Sequence, residues 1–148
     1  DIENIRPEVG ERREMTVLFS DVIGFTPLSE KLSAEEVIRT LNEYFTDVVP
    51  VIFRNGGTLD KYVGDCIMAL WGAPKKSDTH ALLACRAALG MAAALDRLRE
   101  RWRAENRPEL DVGIGINSGA MVVGGAERSD VCGVVWVSPV HVERASAE

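Results

Sequence analysis

The sequence has few cysteines, and they lack the spacing that a thiolate metal site needs. Cys66, Cys85 and Cys132 are odd in number and form no Cys-x-x-Cys pair. A disulfide framework and a cysteine-ligated zinc site are both disfavoured by this pattern. We therefore expect a protein of a reducing, cytoplasmic compartment whose folding needs no covalent cross-link.

Long apolar runs and an excess of positive charge are also absent. No stretch approaches the roughly 18 apolar residues of a membrane span, so we expect no membrane contact by this segment. The 17 Lys and Arg residues are outnumbered by 23 Asp and Glu residues, and the net charge is −6. This charge excludes the usual attraction to nucleic acid. A single nucleotide remains a candidate ligand, because cations and backbone N–H groups can neutralise a triphosphate locally.

What is present is the composition of one globular domain. Of the 148 residues, 46% are hydrophobic and 27% are charged. Residues 1–13 are mostly polar, contain Pro7 and Gly10, and show no hydrophobic period. We predict that they are a linker and that residues 14–148 form the domain.

Helical patterns occupy two parts of the chain. Thr26 and Pro27 resemble a helix cap followed by a first-turn proline, and Ser33 with Glu36 forms the pattern of a capping box. An apolar stripe at helical spacing follows, ending before Asn55. The predicted helices are 26–32, 34–54 and 78–103.

Short β-branched and apolar runs predict the strands. Gly64 and Asp65 lie between two such runs and are predicted to form the tip of a hairpin, while Asn117-Ser118-Gly119 gives a turn signal. The order of elements fits an α+β, ferredoxin-like βααββαβ sandwich, with helices on one face of an antiparallel-rich sheet. The predicted strands are 15–20, 57–63, 66–71, 110–116, 120–123 and 131–137.

Two aspartates at strand ends are candidate metal ligands. Asp21 follows a buried strand directly and precedes Gly24 and a helix, and Asp65 lies at the predicted hairpin tip. If the two strands are neighbours, the carboxylates share one site, and such a pair is typically bridged by cations. The alternatives are a helix cap or turn for Asp21 and an ordinary hairpin turn for Asp65.

Three segments resemble the signatures of class III nucleotidyl cyclases. They are FSDVIGFT at 19–26, DKYVGD at 60–65 and GIGINSG at 113–119, the last followed by Val-Val-Gly. The resemblance covers residues 14–130, in the order and with the intervals of the family. It implies an enzyme that converts ATP to 3′,5′-cyclic AMP and pyrophosphate.

The resemblance also implies metal and phosphate ligands. Asp21 and Asp65 match the paired aspartates that hold two Mg²⁺ or Mn²⁺ ions, and Val22 matches a residue that adds a backbone carbonyl. Residues Gly24, Phe25 and Thr26 match the loop that receives the triphosphate.

Base selection is implied by two further positions. Lys61 matches the lysine that reads adenine, whereas Cys132 stands where a second base reader is expected and is similar to guanylyl cyclases. ATP is favoured, and relaxed ATP/GTP selectivity remains an alternative. Because the family builds its sites between two chains, a head-to-tail homodimer is also implied. Without the motif, Lys61 is equally compatible with a solvent-facing strand residue.

The resemblance weakens after Asp130. The family continues with a helix that carries an Asn and an Arg, the Arg stabilising charge at phosphorus. Here the Asn is missing, and the candidate match to that Arg is Arg144, which lies three residues after His141 rather than four after an Asn. We expect a truncated or divergent terminus over residues 131–148.

This divergence keeps other functions open. One is a catalytically impaired cyclase-homology module that binds nucleotide or dimerises. Another is a receiver-type phosphoacceptor domain, since Asp21 and the downstream Lys61 mimic that arrangement. The receiver is disfavoured because the alternation of helices and strands of a doubly wound sheet is not found.

Overall fold

The structure, a computed structural model, describes residues 11–125, 132–135 and 143–146, and it contains a six-stranded antiparallel sheet. Four strands form its centre in the order β2-β3-β1-β4, and both β5 and β6 pair with β4. The strands are β1 (Glu11–Ile23), β2 (Thr58–Val63), β3 (Cys66–Trp71), β4 (Asp111–Gly125), β5 (Cys132–Val135) and β6 (Glu143–Ser146).

Three helices connect the central strands. They are α1 (Phe25–Lys31), α2 (Ala34–Arg54) and α3 (His80–Ala104). The larger hydrophobic cluster joins α2 and α3 to the sheet, whereas the smaller one contains no helical residue and includes Met15, Val17 and Met68. The helices therefore pack on one face, and the predicted α+β sandwich is confirmed.

Local sequence signals account for most element ends. Ser33 accepts a hydrogen bond from the backbone N–H of Glu36, whose side chain accepts one from the N–H of Ser33, so the predicted capping box is confirmed. The hairpin between β2 and β3 turns at Gly64 and Asp65 as predicted, with a positive φ of 59° at Gly64 that favours glycine.

Two predictions about local structure are wrong. Asn117-Ser118-Gly119 is not a turn, because β4 runs through it and pairs residue by residue with β1. Thr26 does not cap α1, which begins at Phe25 after Gly24 and has no side-chain cap. In addition, β1 begins at Glu11, before the domain start predicted at residue 14.

The contact between α2 and α3 is fixed by close packing at one end and by charged groups at the other. A Cβ added at Gly90 would lie 2.6 Å from Val51 Cγ1, so a glycine is needed at this helix crossing. At the other end, Glu43 accepts hydrogen bonds from Trp102 Nε1 at 2.6 Å and from Arg107 Nη1 at 3.0 Å.

No helix in the described part of the chain is both long and apolar enough to cross a membrane.

Candidate active site

The pairing of β1 with β3 brings the two predicted aspartates together. Ser20 lies opposite Ile67, so continuing the antiparallel register places Asp21 and then Val22 beside Cys66 and Asp65. The backbone N–H of Val22 donates a hydrogen bond of 3.1 Å to Asp65 Oδ2. The two strands are thus neighbours, which is the condition for Asp21 and Asp65 to share one site.

The donor set at this end of the sheet fits a hard divalent cation. Asp21 is exposed, and Asp65 is partly exposed and oriented by the backbone of Val22. Among the described residues, no three His, Cys, Asp or Glu side chains cluster as a metal site. A cation held by two carboxylates takes its remaining ligands from backbone carbonyls, water or substrate phosphates, and Mg²⁺ commonly binds in this way.

Open space adjoins the aspartates at the start of α1. Gly24 has a φ of 70°, which favours glycine, and no heavy atom beyond its chain neighbours lies within 4 Å of a Cβ built there. Gly24 is the N-cap of α1, directly after β1, and Phe25 and Thr26 begin the first turn, where backbone N–H groups have no helical partner. A phosphate group can approach this backbone without meeting a side chain at Gly24.

A buried hydroxyl pair lies beneath the site. Ser20 immediately precedes Asp21, and its Oγ is hydrogen-bonded to the hydroxyl of Tyr44 from α2. Both residues are almost fully buried. Burial, with smaller contributions from Cys66, Asp65 and Asp21, raises the pKa of Tyr44 to about 12, so the phenol stays protonated at neutral pH. The sequence placed Tyr44 in the apolar stripe of α2, and nothing in that stripe identifies the hydroxyl partner.

Cys66 also lies near the aspartate pair. Burial raises the pKa of its thiol, and the negative charges of Asp21 and Asp65 raise it further. This direction agrees with the strand register, which places Asp21 and Asp65 near Cys66 at the start of β3.

The three remaining predicted residues are described only by their backbone positions. Lys61 is on β2 opposite Met68, Cys132 is on β5 opposite Gly125, and Arg144 is on β6 opposite Gly115. Their side chains lie outside the described residues, so their roles as base readers and as a charge-stabilising arginine stay predictions. Arg144 is on a strand, whereas the resemblance would place its counterpart on a helix.

Comparison with known proteins assigns this arrangement to a family. The sequence profile described as the adenylate and guanylate cyclase catalytic domain matches residues 8–142. This chain belongs to that family. The cyclase signatures found in the sequence are therefore family features rather than a chance resemblance.

Relatives within the cyclase family include two bacterial proteins named as adenylate cyclases. The chain is 39% identical over 76% of its length to adenylate cyclase 1 of Rhizobium meliloti and 38% identical over 83% to an adenylate cyclase of Anabaena cylindrica. It spans only 17% and 24% of those proteins, respectively.

Solved structures show the same fold. The guanylyl cyclase Cya2 is 42% identical, with a TM-score of 0.80 over 86% of this chain and 66% of that one. The adenylyl cyclase CyaB from P. aeruginosa is 36% identical, with a TM-score of 0.79 over 86% of this chain and 67% of that one. Similarity alone thus does not separate ATP from GTP as the substrate.

Proposed function

We propose that this chain is an adenylyl cyclase catalytic domain that converts ATP to 3′,5′-cyclic AMP and pyrophosphate. The observation that carries the proposal is the hydrogen bond from the Val22 N–H to Asp65 Oδ2, which holds one carboxylate beside the strand end that bears Asp21. In the proposed reaction the ribose 3′-oxygen attacks the α-phosphorus, loses its proton, and displaces pyrophosphate.

The aspartate pair would hold two Mg²⁺ or Mn²⁺ ions together with the backbone carbonyl of Val22. Such ions lower the pKa of the attacking hydroxyl and neutralise charge on the leaving group. The chain itself orients the carboxylates through the paired ends of β1 and β3. Gly24, Phe25 and Thr26 receive the triphosphate, and the open space at Gly24 supports this role.

The preference for ATP rests on Lys61, whose ammonium donates a hydrogen bond to adenine N1 but meets a donor on guanine. Lys61 is on β2, separated from β1 by β3, so its backbone is roughly 10 Å from the strand that bears Asp21. This separation is compatible with a head-to-tail homodimer in which Lys61 reads the base bound at the other chain's aspartates. A two-fold arrangement would create two equivalent sites.

Relaxed ATP/GTP selectivity is the second candidate, and Cys132 favours it. This residue occupies the position of the second base reader and resembles that of guanylyl cyclases. Lys61 and Cys132 therefore give opposite indications within one base pocket. A catalytically impaired module is a further alternative, based on the divergence over residues 131–148.

The test is an assay of the purified chain with ATP or GTP in the presence of Mn²⁺ or Mg²⁺. We expect cyclic AMP as the main product and a loss of at least about a hundredfold in Asp21→Ala and Asp65→Ala, since each removes a ligand from a transition-state charge clamp. Asp96→Ala, which removes an exposed aspartate from α3, is the matched control and should keep full activity. Activity that survives both site substitutions would refute the metal assignment.

The same assay separates the alternatives. Comparable yields of cyclic AMP and cyclic GMP would favour relaxed selectivity. Binding of a non-hydrolysable ATP analogue with neither product, at any metal concentration, would favour the impaired module. Complementation offers a test of the dimer: mixing Lys61→Ala with Asp65→Ala chains should restore part of the activity, because one of the two sites in the mixed dimer keeps both residues.

A further inference from the structure

Ser20, inside the first cyclase motif, is hydrogen-bonded on the helix side of the sheet to Tyr44, a residue that lies outside all three motifs. Successive side chains of a strand point to opposite faces of the sheet. On β1, Ser20 faces the helices, where its hydroxyl meets that of Tyr44, while Asp21 projects from the other face and is exposed. Fixing Ser20 on one face therefore fixes the direction of Asp21 on the other.

Tyr44 is well suited to hold Ser20 in place. Its ring is 1% exposed and belongs to the hydrophobic cluster between the helices and the sheet. The preceding residue, Glu43, ties α2 to Trp102 and to Arg107 beyond the end of α3. Burial of the ring and the contacts of Glu43 therefore both hold α2, and with it Tyr44, in place against β1.

We propose that Tyr44 is a positioning residue that, through Ser20, holds the end of β1 so that Asp21 and Asp65 bind a divalent cation together. This inference rests on the proposed function, since it concerns the same aspartate pair. Groups that orient metal ligands without touching the metal typically change metal affinity by about 10- to 100-fold when removed. Tyr44 acts through a neighbouring residue, so we expect an effect near the lower end of that range.

The chain offers a matched control on the same strand. Thr16 is fully buried, faces the helices like Ser20, and forms hydrogen bonds of 2.6 Å with His80 Nδ1 and Ser118 Oγ. It lies four residues before Ser20, away from the aspartates. Thr16→Val removes a buried, bonded hydroxyl from β1 and so reproduces the general loss of stability without touching the support of Asp21.

The experiment measures binding of Mn²⁺ alone, with free ion quantified by electron paramagnetic resonance. Parent, Ser20→Ala, Tyr44→Phe, the double variant and Thr16→Val are compared, with folding checked by circular dichroism. We expect the Kd for Mn²⁺ to rise about tenfold in each single variant and no further in the double variant, because both remove one interaction. Thr16→Val should bind as the parent does.

Two results would overturn the inference: unchanged Mn²⁺ affinity in both Ser20→Ala and Tyr44→Phe, or an equal loss in Thr16→Val. The parent chain and Asp65→Ala distinguish this failure from failure of the proposed function. If the parent binds Mn²⁺ and Asp65→Ala does not, the aspartate site stands whatever Tyr44 does. If the parent binds no Mn²⁺, the metal assignment itself fails, and the inference fails with it.

Discussion

Two neighbouring residues of α2, Glu43 and Tyr44, anchor the helix in opposite ways. Tyr44 is buried and neutral, and it joins the helix to β1 beneath the aspartates through one hydroxyl pair. Glu43 is 21% exposed and charged, and it joins the helix to Trp102 and Arg107. One anchor fixes the helix to the site, and the other fixes it to the end of α3 and the segment that follows.

The two anchors should respond differently to conditions. A hydrogen bond between two neutral hydroxyls changes little with salt or with pH near neutrality, because neither group carries charge there. An ion pair that is partly exposed weakens with salt and is lost when its carboxylate is protonated. The contact that responds little to salt and pH, between Ser20 and Tyr44, therefore lies under the candidate site. The contact that responds to both, between Glu43 and Arg107, lies at the periphery.

The largest expected effect on stability comes from the buried anchor, Tyr44. Tyr44→Ala removes an aromatic ring from the cluster between the helices and the sheet, and truncation of a buried aromatic residue destabilises by about 3–5 kcal/mol. Urea denaturation followed by circular dichroism would measure this change. Asn42→Ala, at an exposed position of the same helix, should change stability by no more than about 0.5 kcal/mol. Equal losses in the two variants would contradict the packing assigned to Tyr44.

Much of this arrangement was predictable from sequence, because it follows from local signals. The hydrophobic period located α2, the Ser33 and Glu36 pattern located its start, and Gly64-Asp65 located the hairpin. The meeting of Asp21 and Asp65 was predicted only on the condition that β1 and β3 are neighbours. That condition is satisfied by hydrogen bonds between distant segments, which no local pattern reveals.

A smaller effect is expected at the charged anchor. Glu43→Ala leaves the indole N–H of Trp102, a residue that is fully buried, without its acceptor, and an unmet buried donor destabilises by about 1–3 kcal/mol. The same urea denaturation measures the loss. A double variant with Arg107→Ala should lose less than the sum of the single variants, because the two side chains share a hydrogen bond. Full additivity would show that the contact contributes nothing.

The pH dependence of the charged anchor has a definite sign. Burial raises the pKa of Glu43, but hydrogen bonds from Arg107 and Trp102 outweigh it, and the pKa is lowered from its ordinary value of 4.5. The folded chain therefore binds fewer protons than the unfolded chain just below pH 4.5, so the stabilisation is complete above that pH and is lost as pH falls. The stability difference between the parent and Glu43→Gln should shrink on acidification below pH 4.5. A difference that is constant from pH 7 to pH 3 would contradict this assignment.

What the sequence did not predict has a physical cause in the pairing of β1 with β4. Asn117, Ser118 and Gly119 are typical turn residues, yet they continue β4 because each of them is paired with a residue of β1. Ser118 lies opposite Thr16, and their hydroxyls are hydrogen-bonded. The hydroxyl pair of Ser20 and Tyr44 was missed for a similar reason, since it depends on how α2 packs on the sheet. In both cases tertiary contacts override local preference.

The smallest expected effect concerns Cys66, whose thiol lies near the aspartate pair above the buried Tyr44 contact and responds to the charge there. Burial raises the pKa of its thiol, and Asp21 and Asp65 raise it further. The fraction of Cys66 in the reactive thiolate form at pH 8 is therefore smaller than for an ordinary cysteine. We expect iodoacetamide to modify Cys66 more slowly than the exposed Cys85, as measured by mass spectrometry of the digested chain. Asp65→Asn should increase the rate at Cys66 and leave the rate at Cys85 unchanged, because only Cys66 is close to the removed charge. An unchanged rate at Cys66 in Asp65→Asn would contradict the contribution assigned to the charge of Asp65.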